Sequence, residues 1–67
     1  MKRTKEDAQH TRDALLSAAL VVFSARGFTA ATLEDIAAEA QVTRGALYHH
    51  FSGKAELFDT LLTRAGE

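Results

Sequence analysis

The stretch from Thr32 to Lys54, with the sequence TLEDIAAEAQVTRGALYHHFSGK, decides the fold of this chain. It contains two threonines, Thr32 and Thr43, each followed by a short run with apolar residues at helical spacing. Threonine is a favoured N-cap residue because its hydroxyl accepts a hydrogen bond from a backbone N–H of the first helical turn. The pattern therefore predicts one helix over Leu33 to Ala40 and a second helix that begins at Arg44.

The connection between these two helices is very short. Only two residues, Gln41 and Val42, separate the first helix from the cap of the second, so the helices must cross at a steep angle instead of lying side by side. Val42 and Leu47 occupy the two positions of a hydrophobic staple, which fixes how a chain enters a helix. Asp35, three residues after Thr32, weakly imitates the acid of a reciprocal capping box. The predicted geometry is a helix-turn-helix.

Two further helices flank this pair. Before it, small and apolar residues recur at three- and four-residue steps, at Ala8, Thr11, Leu15, Ala18, Ala19, Val22 and Phe23. This first helix should end at Gly27, which permits a left-handed backbone, and Phe28 should then fold back onto Phe23. A fourth helix should start near Ser52 or Gly53. Its apolar stripe consists of Leu57, Phe58, Leu61, Leu62 and Ala65.

Together these elements predict an all-α fold: a homeodomain-like three-helix bundle with a helix-turn-helix, followed by the start of a linking helix over residues 52–67. The 67 residues make one domain, in which 46% of the residues are hydrophobic and neither cysteine nor proline occurs. The longest apolar run, Ala14 to Phe23 with one serine in it, is too short to cross a bilayer. We therefore expect a soluble, cytoplasmic protein without disulfides, cofactor or membrane contact.

Charge is segregated along the chain, although the formal net charge is only −1. Residues 1–12 and residues 41–54 each carry +2, whereas residues 33–40 carry −3. This distribution lets one face meet phosphates while another stays acidic, but solvated charge runs are common in proteins and mean little alone. The basic residues of segment 1–8 form either a solvated tail or an arm that touches the DNA backbone or a minor groove.

A helix-turn-helix works by placing its second helix in the major groove of DNA. The residues predicted to point outward from that helix are Arg44, Gly45, Tyr48 and His49. Arg44 can fork onto O6 and N7 of guanine, and Gly45 would let the backbone come close. Donors for phosphate oxygens come from Thr43, Tyr48 and Lys54, and Thr32 can add another. The segment Thr43 to Lys54 is therefore predicted to bind duplex DNA.

Two runs, Thr32-Leu-Glu-Asp-Ile-Ala and Val42-Thr-Arg-Gly-Ala-Leu-Tyr-His-His-Phe-Ser-Gly-Lys54, resemble the tetracycline-repressor (TetR) family of bacterial regulators. The similarity extends from about Thr11 to Leu62, and Arg3 to Arg12 resembles the AcrR-like subset that represses multidrug-efflux operons. The resemblance implies a dimeric repressor of a palindromic operator, located at the nucleoid when bound. It also implies a C-terminal helical domain, absent from this fragment, that would hold the dimer contact and bind a small-molecule inducer.

The resemblance also assigns roles to single residues. Arg44, Gly45 and Ala46 would lie nearest the bases. Tyr48, His49 and Lys54 would contact phosphates, and Thr32 and Thr43 would occupy capping or phosphate positions. Gln41 departs from the family pattern, which usually has glycine there, so either Gln41 adopts a left-handed conformation or the turn differs slightly. His49 stands where many relatives have tryptophan or tyrosine, so a pH-dependent hydrogen bond would replace a large apolar contact.

Three other interpretations compete with this one. His49 and His50 suggest a metal site, but adjacent helical residues point about 100° apart and no third ligand lies at a suitable spacing, so we expect no metal. His50 is instead expected to be buried or half-buried. An enzyme is not expected, because the sequence has no strained nucleophile turn, glycine-rich phosphate loop or paired carboxylates in a plausible pocket. The better rival is a helical protein-interaction module that uses the apolar stripe of the fourth helix.

Overall fold

The computed structural model describes residues 5–65, with side chains described from Gln9 to Arg64. Its elements are four α-helices: α1 (Lys5–Arg26), α2 (Leu33–Ala40), α3 (Arg44–His50) and α4 (Lys54–Ala65). Over residues 5–65 there is no strand, so the predicted all-α fold is confirmed. None of the helices in this range is long and apolar enough to cross a membrane.

Helix α1 ends for an identifiable reason. Its first described residue is Lys5, so Lys5 to Ala8, predicted as part of a basic arm, are helical, and residues 1–4 of that arm lie outside the described residues. At the other end Gly27 has φ 85°, and its N–H donates to the carbonyl of Phe23 at 2.8 Å. The predicted glycine stop is confirmed.

The hydrophobic core lies between α1 and the helices α2 and α4, and Leu47 of α3 and Phe51 are buried in the same cluster. Its largest fully buried side chains are Leu15, Leu16, Ile36, Leu47, Phe51 and Leu57. Most of the predicted stripe on α1 is buried, but Leu16, which was left out of that stripe, is also fully buried. The reason is that α1 packs against both α2 and α4, so it buries a wider face than a helix with one neighbour.

Three phenylalanines form an aromatic cluster at the end of α1. The ring centroid of Phe28 lies 5.4 Å from that of Phe23, which confirms the predicted fold-back. The ring of Phe58, from α4, lies 5.7 Å from Phe23 and 5.3 Å from Phe28. This cluster of Phe23, Phe28 and Phe58 ties the loop after α1 to the side of α4.

The turn between α2 and α3 is formed by Gln41 in the left-handed conformation, with φ 62° and ψ 41°. Its N–H donates to the carbonyl of Ala38 at 3.1 Å, and the N–H of Val42 donates to the carbonyl of Ala37 at 3.0 Å. This is the hydrogen-bond pair of a Schellman motif, which usually has glycine at the left-handed position. Of the two alternatives for Gln41, the left-handed one is correct.

Both threonine caps are present. The Oγ1 of Thr32 accepts from the N–H of Asp35, and the Oγ1 of Thr43 accepts from the N–H of Ala46, each at 3.0 Å. The carboxylate of Asp35 does not reciprocate as a capping-box acid. It lies 3.6 Å from Nε of Arg26, because its short side chain is drawn to the cation at the end of α1.

Helix α4 begins at Lys54, one or two residues later than predicted, so the predicted start of the linking helix at residue 52 is wrong. Ser52 lies outside the helix because its N–H and its hydroxyl donate to Oε1 of Glu56, at 2.7 and 3.0 Å. These bonds, the backbone one first, lower the pKa of the Glu56 carboxyl, and the charge of Arg12 contributes in the same direction. Glu56, in the first turn of α4, thus fixes the position of Ser52 just before the helix.

Replacing Gln41 with glycine should stabilise the protein by about 0.5–1 kcal/mol. A left-handed backbone costs a residue with a Cβ roughly 1–2 kcal/mol, and glycine removes this strain from the folded protein. Glycine also increases the entropy of the unfolded chain, which offsets part of the gain in stability. Urea-induced unfolding of the two proteins measures the difference. Gln41→Ala is the matched control and should give little or no gain, because alanine keeps the Cβ. A destabilising Gln41→Gly would contradict the role assigned to this turn.

Candidate nucleic-acid interface

Helix α3 has one buried and one exposed face. Leu47 is fully buried and Phe51, which follows the helix, is 1% exposed. The side chains that are exposed on the other face belong to Arg44, Tyr48 and His49, together with the backbone of Gly45. The predicted outward set is therefore confirmed as exposed. Since the core holds Leu47 and Phe51, the outward direction of the remaining residues of α3 is fixed by packing.

Arg44, the first residue of α3, pairs with an acid on α2. Its Nη1 donates to Oε2 of Glu34, and the two side chains are 58% and 65% exposed. An exposed ion pair of this kind contributes only about 0–1 kcal/mol to stability. The guanidinium has five N–H donors, so the pair with Glu34 leaves others able to bind a base edge. This pair was not predicted from the sequence, although opposite charges on two crossing helices were its signal.

Gly45 is exposed in the first turn of α3. Apart from its two chain neighbours and the backbone of its own helix, the nearest atom to a Cβ built on it would be Oγ1 of Thr43, at 3.9 Å. Its φ is not in the left-handed region. Glycine in a helix costs about 0.5–1 kcal/mol relative to alanine, so the fold gives no reason for glycine here. The absent side chain leaves the outer surface of α3 open to the close approach of another molecule.

The other predicted contact residues, the two threonines, Ala46 and Tyr48, differ in how exposed they are. Thr32 and Thr43 are exposed, and each hydroxyl keeps its proton for donation while its oxygen caps a helix. Ala46 is half-buried, so it lies at the flank of the exposed face and not at its centre. Tyr48 is 51% exposed, with its aromatic ring outside the core.

The two histidines lie on different faces of α3. His49 is exposed and His50 is half-buried, with their ring centroids 5.4 Å apart in an edge-to-face arrangement. The predicted partial burial of His50 is confirmed. Among the side chains that the structure describes, no group of three histidines or carboxylates is placed to hold a metal ion.

Lys54 has an unexpected position. Its Nζ donates to the carbonyl of Phe28 at 2.7 Å and to that of Thr29 at 3.2 Å, and it lies 4.6 Å from the centroid of the Phe28 ring. The first residue of α4 thus ties that helix to the loop before α2. An ammonium group has three donors and these contacts use two of them. Lys54 thus has a structural role, and its contact with phosphate stays a prediction.

Arg12 is a residue of this region to which sequence analysis gave no site role. Its guanidinium lies 5.0 Å from the centroid of the Phe51 ring, and its charge acts on Glu56. The side chain is half-buried. Arg12 therefore brings a positive charge from α1 to the carboxyl end of α3. No local pattern could have indicated this, because the contact joins segments almost forty residues apart.

Two short helices that cross after a left-handed turn, with the second one capped by threonine and exposing an arginine, define a helix-turn-helix DNA-binding domain. The family model described as "Bacterial regulatory proteins, tetR family" matches residues 15–61. The chain belongs to this family of regulators.

Several transcriptional regulators are similar to this chain. It is 49% identical over 65 residues to the HTH-type transcriptional repressor BepR of Brucella suis, covering 97% of this chain and 31% of that protein. It is 53% identical over 62 residues to the HTH-type transcriptional regulator TtgR of Pseudomonas putida, covering 92% and 30%. For the HTH-type transcriptional regulator AcrR of Shigella flexneri the identity is 45% over 60 residues, covering 90% and 28%. The chain therefore spans about three tenths of the length of these relatives.

Replacing Lys54 with methionine should destabilise the protein by about 1–2 kcal/mol. Methionine keeps the apolar stem but removes two hydrogen bonds to backbone carbonyls and the cation above the Phe28 ring. Urea-induced unfolding measures the loss. Arg64→Met, near the exposed end of the same helix, is the matched control and should change stability by less than about 0.5 kcal/mol. Equal effects of the two substitutions would show that the contacts of Lys54 with the loop do not stabilise the fold.

Proposed function

We propose that this chain is the DNA-binding head of a transcriptional repressor, with α3 lying in the major groove of its operator. The observation that carries the proposal is the exposed face of α3. Arg44, Gly45 and Tyr48 stand together on it, and the fold needs none of the three there. Their chemistry suits a duplex: a planar cation for guanine, an open backbone for close approach and a phenol for phosphate.

The residues divide into two groups by what they can contact. Arg44, Gly45 and Ala46 lie in the first turn of α3 and are proposed to meet the base edges. Ala46 is half-buried, so its methyl group would meet a base only at the flank of the contact. An apolar contact of this kind suits the methyl group of thymine.

The second group is proposed to hold the sugar-phosphate backbone. Its members are Thr32, Thr43, Tyr48, His49 and Lys54. The hydroxyls of Thr32 and Thr43 can each donate a proton to phosphate while they continue to cap their helices. Lys54 can use its third donor, or it can act through the loop that it holds. Such contacts fix the register of the protein on the duplex but carry no sequence information directly.

We infer further that the whole protein is a dimeric repressor released by a small-molecule inducer, with efflux genes as its targets. Support comes from relatives named as repressors, among them BepR and a probable acrEF/envCD operon repressor of Escherichia coli, which is 47% identical over 60 residues. The dimer contact and the inducer site are proposed to lie outside residues 1–67. Two heads would then meet half-sites about 34–36 Å apart on a palindromic operator.

Two corollaries complete the proposal. A protein that binds chromosomal DNA acts in the bacterial cytoplasm, where it is associated with the nucleoid when bound. We also infer that it is not an enzyme, because the family consists of regulatory proteins. The rival hypothesis, a protein-interaction module on the stripe of α4, is not favoured. One of the stripe residues, Phe58, already packs against Phe23 and Phe28.

The test begins with duplexes that the natural full-length protein enriches from a random-sequence library. Fluorescence anisotropy then measures binding of an enriched duplex and of a scrambled duplex across a salt series. Arg44→Ala should weaken binding to the enriched duplex by about 1–3 kcal/mol and relax the preference at one base pair. The control is Arg26→Ala, because Arg26 also pairs with an acid of α2 but lies at the end of α1. An equal loss on both duplexes would contradict base contact by Arg44.

Gly45→Ala separates the function of α3 from its stability. The substitution should stabilise the protein by about 0.5–1 kcal/mol in urea unfolding, because alanine is the better helix former and has space there. It should also weaken binding to the enriched duplex, because the added methyl group holds the backbone away from DNA. A protein that becomes more stable and binds as tightly as before would show that α3 is not in close contact with the duplex.

A further inference from the structure

The ion pair between Arg44 and Glu34 is the feature of the exposed face that the proposed function leaves unexplained. It joins the residue proposed to meet guanine to the second residue of α2. Both side chains are more than half exposed, at 58% and 65%. An exposed pair of this kind contributes little to folding. A carboxylate beside a DNA-facing arginine also repels phosphates, so it opposes binding in general.

Arg44 is paired with Glu34 through the packing of two helices and not through neighbouring turns of a single helix. Glu34 and Arg44 lie on different helices, ten residues apart in the sequence. They meet because the left-handed turn at Gln41 makes α2 and α3 cross. The neighbouring acid, Asp35, is directed to Arg26 at the end of α1. The third acid of α2, Glu39, lies with Val21 and Ala25 on the side facing α1. Of the three acids of α2, Glu34 is the one that reaches the exposed face of α3.

We propose that Glu34 is a specificity-determining residue that withholds the charge of Arg44 from phosphates and directs its guanidinium toward a base. The inference rests on the proposed function. On a random duplex, Arg44 stays paired with Glu34 and neutralises no phosphate. On the operator, the donors that Glu34 does not occupy fork onto guanine, and Glu34 holds the guanidinium in the orientation that this contact requires.

The size of the effect follows from counterion release. Each phosphate that a protein neutralises changes the slope of log K against log salt by about 0.9, which corresponds to about eightfold in affinity at 0.1 M salt relative to 1 M. If Glu34→Gln frees Arg44 for one phosphate, binding to random DNA should tighten by about five- to tenfold at 0.1 M salt. Binding to the operator should change by less than about twofold, because the relief of repulsion between Glu34 and nearby phosphates is offset by the loss of the orientation that Glu34 gives the guanidinium. The ratio of the two affinities therefore falls.

The experiment compares the natural full-length protein with its Glu34→Gln variant, on a duplex enriched from a random library and on a scrambled duplex, by anisotropy across a salt series. The expected result is tighter binding of the scrambled duplex, a salt slope steeper by about 1 on that duplex and a several-fold loss of preference. Glu39→Gln is the matched control, because it removes the same charge from the same helix on the side that faces α1. It should leave the preference unchanged.

Two outcomes would overturn the inference. If Glu34→Gln tightens binding to both duplexes by the same factor, Glu34 acts only as a like charge near the DNA. If Glu34→Gln still lowers the preference in an Arg44→Ala background, the effect does not pass through Arg44. These failures differ from failure of the proposed function, in which the unmodified protein enriches no duplex and prefers none at any salt concentration.

Discussion

The burial of Leu47 and Phe51 is the constraint on which the exposed face of this domain depends. Helix α3 has only seven residues, and an isolated helix shorter than about 12–15 residues is marginal in water. It exists here because Leu47 is fully buried, Phe51 is nearly so, and Thr43 caps the first turn. The same packing directs the opposite residues outward. The position of α3 and the orientation of its exposed side chains therefore have one cause.

The rest of the domain serves to hold that short helix. Helix α1 supplies the wide apolar face against which α2 and α4 pack, and the left-handed turn at Gln41 sets the angle between α2 and α3. The aromatic cluster and Lys54 join the first turns of α4 to the loop that precedes α2. Helices α2 and α4, which precede and follow α3 in the sequence, are thus linked to each other through that loop. A small domain buries little surface, so such ties between loops and helices matter more here than in a larger protein.

Local signals in the sequence were enough to predict the helices, their caps and the outward residues of α3. A cap, a glycine stop and an apolar stripe each depend on residues within a turn or two of one another, as at Thr32, Thr43 and Gly27. The pairing of Arg44 with Glu34, the contacts of Lys54 with Phe28 and the full burial of Leu16 were not predicted. Each depends on how segments distant in the sequence pack against one another, and helical periodicity does not encode that packing. The start of α4 was placed too early because Ser52 and Glu56 bond across the boundary.

The charge of this chain shows why net charge is a poor guide to the partner of a small domain. A nucleic-acid-binding domain usually has a basic excess, yet this one has a formal net charge of −1. Its acids are distributed by face: Asp35 pairs with Arg26 near the end of α1, and Glu39 lies on the side that faces α1. Glu34 alone among the acids of α2 reaches Arg44, the residue proposed to meet a base. Because the potential at a surface falls off over about 10 Å in 0.1 M salt, DNA would respond to the charges of the nearest face. Specificity is better served by a face whose strongest cation is paired than by one that attracts every phosphate, since a free cation stabilises correct and incorrect complexes alike.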